Sequence, residues 1–158
     1  MIQRQRAVAP APRRSRTAGV RMLAVLAGCM CALPVSANCT VTTSGVAFGS
    51  YDTFSTQSLQ GAGSISVACS PAMAYTIALS AGSGSYATRT LLSGSDTLGY
   101  NLFTDSTLTT VWGDGGGGTA TVVGSGESAL HTVYGRIPAR QNVRAGSYAD
   151  SIVVTLTF

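Results

Sequence analysis

From Gly146 to Phe158 the side chains alternate, and that pattern limits the chain more than any other feature. Tyr148, Ile152, Val154, Leu156 and Phe158 share one parity, while Asp150, Ser151, Thr155 and Thr157 supply most of the polar breaks. Period-two alternation in residues rich in β-branched types predicts a half-buried β-strand. No turn and no further strand follow it in this sequence. In a closed sheet such an ending is ordinary. In a sandwich one strand short, it marks the place where a partner strand enters.

The residues before it repeat the pattern at short spacing. Strands are expected over Cys39 to Phe48, Gly63 to Cys69, Ala74 to Leu79, Arg89 to Leu92, Leu98 to Phe103, Leu108 to Trp112, Thr119 to Val123 and Leu130 to Ile137. Turn residues separate them: Ser70-Pro71, Gly82-Ser83-Gly84, Ser93-Gly94-Ser95, the glycine run 115–118 and Gly124-Ser125-Gly126. There is no sustained helical period and no internal repeat. Residues 38–158 contain 17 glycines and few charges. These features predict a single all-β domain, an immunoglobulin-like sandwich.

The front of the chain reads differently. Arg4, Arg6, Arg13, Arg14, Arg16 and Arg21 form a basic region, and Met22 to Val35 is an apolar run. That run is short for a membrane span, which needs about 20 residues. Val35-Ser36-Ala37 places small side chains before a cleavage point between Ala37 and Asn38. Residues 1–37 are therefore expected to be a secretory signal peptide, leaving a mature domain at 38–158 with no membrane span. Leu26-Ala27-Gly28-Cys29 also fits a lipoprotein box, the alternative processing at Cys29.

Cleavage changes the charge argument. The whole chain carries a net +4, but residues 38–158 keep four arginines, no lysine and six acids, a net charge of −2. The basic balance belongs to the leader, and nothing basic remains to follow a phosphate backbone, which excludes nucleic-acid binding. The mature domain keeps two cysteines, Cys39 and Cys69. A single pair in an exported domain favours a disulfide. Closing a loop of that length stabilises by about 3 kcal/mol through the unfolded chain.

Residues that carry chemistry are sparse. His131 is the only histidine, with no second ligand at metal spacing. There is no GxSxG elbow and no HExxH. Trp112-Gly113-Asp114 and the glycines after it lack the lysine and hydroxyl of a phosphate cradle. Asp96, Asp105, Asp114 and Asp150 are scattered with no calcium-loop spacing. Neither an enzyme nor a cofactor is expected. A small secreted enzyme or binding module would need a clustered site, for which Trp112, Tyr100 and Tyr134 are the aromatic candidates.

Several segments in order resemble a known family. They are Cys39-Thr40-Val41, Gly45 to Tyr51, Gly63 to Ser70, Tyr75 to Gly82 with Arg89, Leu98 to Asp105, Trp112 to Gly115, Tyr134 to Pro138 with Gln141, and Gly146 to Asp150. Together they resemble the spore coat protein U domain, the fold of subunits in archaic chaperone–usher pili, over essentially all of 38–158. The resemblance implies a sandwich lacking its final strand. It implies a periplasmic chaperone that lends a strand, a neighbouring pilus subunit that later replaces it, and an outer-membrane usher. By the same pattern Cys39 and Cys69 tie the first strand to the second. Ile152, Val154, Leu156 and Phe158 then flank the groove that takes the donor strand. The implied function is a structural subunit of a surface fibre, exported through the periplasm, minor or at the tip, in adhesion or biofilm formation. The alternatives are a coat-type surface protein assembling without an usher, and a small secreted binding module. One departure stands out. Polymerising subunits carry a donor arm of about ten residues before the first cysteine, whereas only Asn38 lies between the expected cleavage point and Cys39. The mature chain is thus expected to accept a strand without giving one.

Overall fold

The computed structural model describes residues 37–158. The expected leader, all but Ala37, and the alternative box at Cys29 lie outside the described residues. Six strands form: β1 (Asn38–Ala47), β2 (Leu59–Leu79), β3 (Arg89–Ser93), β4 (Asp96–Phe103), β5 (Val122–Ile137) and β6 (Val154–Thr157). There is no helix among the described residues. All strand pairings are antiparallel, in the order β1-β2-β5-β4-β3, with β6 also on β2.

β2 is the spine. Ile65, Val67, Cys69, Tyr75, Ile77 and Leu79 share one parity along it, and all are buried. β5 lies along one edge of β2 on both sides of an irregularity between Ala68 and Met73. The other edge is divided, with β1 pairing residues 62–70 and β6 pairing residues 76–79. A straight strand would hold Ile65 and Leu79 about 46 Å apart at its usual rise. Instead both line one cavity of about 210 Å³. β2 is therefore bent back on itself, and the curled sheet forms the two facing layers of an immunoglobulin-like sandwich.

The structure corrects several boundaries. Gly63 to Cys69 and Ala74 to Leu79 are not two strands around a turn at Ser70-Pro71; they are one strand of 21 residues. Pairing with β5 resumes at Met73↔Gly126, so the exposed Ser70 to Ala72 stretch is absorbed as an irregularity. Gly124-Ser125-Gly126 is strand rather than turn. Gly124 serves packing there, because a Cβ on it would lie 2.5 Å from the Tyr75 ring. Of the expected strand Thr119 to Val123, only Val122 and Val123 are in β5.

Leu108 to Trp112 is a loop joined to β4 by an isolated bridge at Val111, with a second bridge from Trp112 to Ala120 in the following loop. Leu108 has φ 57, incompatible with an extended strand. The Asp105 carboxylate takes the amides of Thr109 and Thr110 at 3.2 and 2.9 Å, which bends the segment. The last strand is shorter than its alternation, with only Val154 to Thr157 in the ladder.

Two side chains fix how the layers close. Trp112 is fully buried, and its indole N–H donates to the Ile77 carbonyl at 3.1 Å. Arg89 is also fully buried. Its Nε and Nη2 donate to the Ser80 carbonyl at 3.1 and 2.8 Å, Nη2 also to the Trp112 carbonyl at 2.7 Å, and Nη1 to Asn101 Oδ1 at 2.6 Å. Its guanidinium also sits 5.5 Å from the centre of the Tyr86 ring. Burial lowers the Arg89 pKa from its ordinary value. The contacts are to neutral acceptors, so the guanidinium acts as a bracket of four hydrogen bonds between the end of β2, the Trp112 loop and β4.

Arg89→Met should destabilise the domain by about 3 kcal/mol, since it strands buried acceptors from three elements. Arg89→Lys should recover only part of that, because an ammonium cannot match the fork. Denaturant midpoints of the purified protein check both. The disulfide between Cys39 and Cys69 closes a sequence separation of 30 residues. The double change Cys39→Ser, Cys69→Ser should lower stability by about 3 kcal/mol in the same measurement.

Candidate functional site

The opening of the sandwich lies between the second half of β1 and the segment leading into β6. β1 first points Cys39 and Val41 inward, half-buried against the core. A register shift between Ser44 and Ala47 then changes the parity, so that Val46 and Phe48 face inward. Phe48 needs a slot. A Cβ on Gly135 would lie 2.6 Å from its ring, and the ring meets Tyr100 edge-on at 5.8 Å.

Facing this wall, Asp150, Ile152 and Val154 line the same cavity of about 210 Å³, whose floor includes Ile65, Leu79, Leu102 and Val133. A wider cleft of about 870 Å³ continues from it between residues 46–54 and 143–150. The two share Val46, Phe48, Leu91 and Asp150, so they form one groove. β1 ends the strand order and β6 pairs only with β2, so among the described residues each presents an unpaired backbone edge.

The 149–154 wall is held at several points. Ala149 and Leu92 exchange backbone hydrogen bonds of 3.0 and 2.8 Å. The Ser80 amide donates to the Val153 carbonyl at 3.0 Å, and the Val153 amide donates to Ser80 Oγ at 2.9 Å. Asp150 is the central tie. Its Oδ1 accepts from the Ser83 amide at 3.0 Å, the Ser83 hydroxyl at 2.8 Å and the Ser151 amide at 2.8 Å, and its Oδ2 accepts from the Tyr100 hydroxyl at 2.7 Å. Burial first, then the bond and charge of Asp150, push the Tyr100 hydroxyl far above the ordinary tyrosine range.

The residues singled out in the sequence fall in different places. Ile152 and Val154 line the groove. Leu156 is half-buried against the core, paired with Ile77, and Phe158 is 60 % exposed and outside both cavity linings. Cys39 and Cys69 are bonded and tie β1 to β2. Ala37 and Asn38 are exposed ahead of that bond. His131 is half-buried, with Nε2 2.9 Å from the Tyr75 hydroxyl, and burial lowers its pKa.

The aromatic candidates do not gather into a site. Trp112 and Tyr100 are core residues, and Tyr134 is half-buried on β5. Asp105 and Asp114 each hold their own loop. The Thr107 hydroxyl, then the backbone amides that bind it, keep the Asp105 carboxyl well below the usual range. Asp114 is lowered by the Gly116 amide, which it accepts at 2.9 Å. Among the described residues no three His, Cys, Asp or Glu side chains gather as a metal site, and no helix is long and apolar enough to cross a membrane.

Two residues gained meaning only in the structure. Asp150 reads as a polar break, yet it shares the parity of Ile152 and Val154, and that parity was the available signal. Arg89 reads as one of four remaining arginines and as one of the residues that carry the family resemblance; neither reading signals its burial.

Known proteins are similar to this chain in sequence and in shape. The profile described as Spore Coat Protein U domain matches residues 26–155. "Protein U" of Myxococcus xanthus is 35 % identical over 125 residues, covering 70 % of each chain. By shape, the chain resembles one chain in the crystal structure of the CsuC–CsuE chaperone–tip adhesion subunit pre-assembly complex, from archaic chaperone–usher Csu pili of Acinetobacter baumannii. The TM-score is 0.59 at 21 % identity, over 78 % of this chain and 40 % of that one. This chain thus spans less than half the length of that solved relative, and the likeness is one of fold. The profile match over most of the sequence and the 35 % identical relative place the protein: it belongs to the Spore Coat Protein U domain family.

Proposed function

We propose that this protein is a structural subunit of a secreted surface fibre of the archaic chaperone–usher type, and that its groove accepts a β-strand from another chain. The observation that carries the proposal is the groove itself. It is lined by apolar side chains from both layers and flanked by two unpaired strand edges. Such a surface has two unmet demands, apolar area in water and a row of backbone groups without partners. An added strand meets both at once, with ladder hydrogen bonds along the edge and alternate side chains in the groove. The fold likeness to a chain from a chaperone–subunit complex supports this reading.

In this account a periplasmic chaperone occupies the groove first, a neighbouring subunit's arm replaces it, and an usher conducts the exchange. The expected cleavage after Ala37 leaves no donor arm, which puts the subunit at the end of a fibre, in adhesion or biofilm formation. N-terminal sequencing of the exported protein should begin at Asn38; a start well upstream of Cys39 would return the subunit to the shaft. A second reading, a coat-type protein assembling without an usher, is favoured by the family's description as a spore coat domain.

Expression of the full chain with and without the cognate chaperone separates the two. Soluble yield should depend on the chaperone, and the two proteins should co-purify. Full soluble yield without the chaperone, with no complex recovered when it is present, would overturn the strand-accepting reading and leave the coat reading. Within the groove, Val154→Asp should reduce recovery of the chaperone complex at least about tenfold, since it buries a charge against the incoming strand. Val123→Asp, at a valine 71 % exposed and outside the groove, should leave recovery unchanged in the same pull-down.

A further inference from the structure

The groove lining is polar at one revealing point. Of the residues around the narrow cavity, Asp150 alone is charged, and it occupies an inward position where Ile152 and Val154 set an apolar pattern. The wider part adds Asp52 and Arg144. The hydrogen-bond donors on Asp150 are all neutral: Tyr100, Ser83 and Ser151. Arg89 lies within its electrostatic reach, but directs its own donors to Ser80, Trp112 and Asn101.

Among the described residues Asp150 is served by hydrogen bonds but not by an ion pair. Oδ1 accepts three hydrogen bonds and Oδ2 one, from Tyr100, which meets the about four acceptor sites of a carboxylate. Oδ2 also packs against Gly82. A strand laid over the groove replaces water with protein around this charge, so the carboxylate acts more strongly on whatever faces it. An apolar residue opposite Asp150 adds nothing to compensate the charge, and an acid adds like-charge repulsion. An ammonium or a guanidinium compensates it.

We infer that Asp150 is a specificity-determining residue of the groove, and that the strand it accepts carries a lysine or arginine opposite it, on an otherwise apolar inward face. The inference rests on the strand-accepting reading above and adds the chemistry of the partner. It supplies a repulsive element as well as an attractive one, the usual means by which one strand is taken and similar ones refused.

The test uses the exported protein, released from its chaperone in the presence of synthetic dodecapeptides that alternate valine and threonine. In the panel each inward position in turn carries Lys, Ser, Leu or Asp. At one position Lys should bind better than Ser and Leu, and better than Asp by about tenfold. In Asp150→Asn the Lys-over-Asp preference at that position should fall to near onefold, with the disulfide intact and a cooperative unfolding transition retained. If that variant does not fold, the wild type carries the test through norleucine, which keeps the lysine stem without its ammonium: at that position it should bind about tenfold more weakly than Lys. Binding of every peptide with no position preferring Lys, a preference that survives Asp150→Asn, or norleucine binding as well as Lys, overturns the inference and leaves the groove reading standing. Binding of no peptide overturns the groove reading and the inference with it.

Discussion

The structure depends on one long ladder, β5 against β2. It runs from Leu59↔Ile137 to Ile77↔Val122 and is interrupted once. Because β5 stays with β2 on both sides of that interruption, the two strands bend together, and each contributes to both layers of the sandwich. Every other element is placed by reference to this pair. β1 and β6 share the far edge of β2, β4 continues the sheet from β5, and β3 follows β4. The divided edge is also why the sandwich is open, since its two occupants leave the groove between their layers.

Closing such a bent sheet calls for brackets as well as apolar packing. Arg89 and Trp112 provide them by donating to backbone carbonyls at the end of β2 and in the adjoining loop. A guanidinium is a costly bracket to bury, but it can join carbonyls that face one another where no ladder is possible. Tyr51 works in the same way at the other end, donating to the Pro138 carbonyl and accepting from the Gln141 amide at 3.0 and 2.8 Å. The groove walls are therefore held by polar ties around an apolar floor, which keeps the opening in place without filling it.

Much of this was legible in the sequence, and the misses share a cause. The all-β class, the pairing of Cys39 with Cys69 and the inward parity of Ile152 and Val154 follow from local alternation and compartment, which the sequence displays directly. The segments misread as turns were Ser70-Pro71 and Gly124-Ser125-Gly126. They lie at the irregularity of the β2–β5 ladder or beside the Tyr75 ring, where a distant partner overrides local preference. The expected strand at Leu108 failed for the opposite reason, because a nearby carboxylate captured its amides. Asp150 was hidden by the habit of reading an acid as a solvent-facing break, although its parity placed it in the groove.

The position of the disulfide has a mechanical consequence. Cys39 is the second residue of β1 and is paired directly with Cys69 on β2. A tensile load entering at Asn38 meets one ladder pair, Asn38↔Ser70, and then a covalent bond before the rest of the ladder. β1 cannot be peeled away from that end one hydrogen bond at a time. The load passes into the middle of β2, the strand with the most neighbours in the fold, and is shared across β5 as shear.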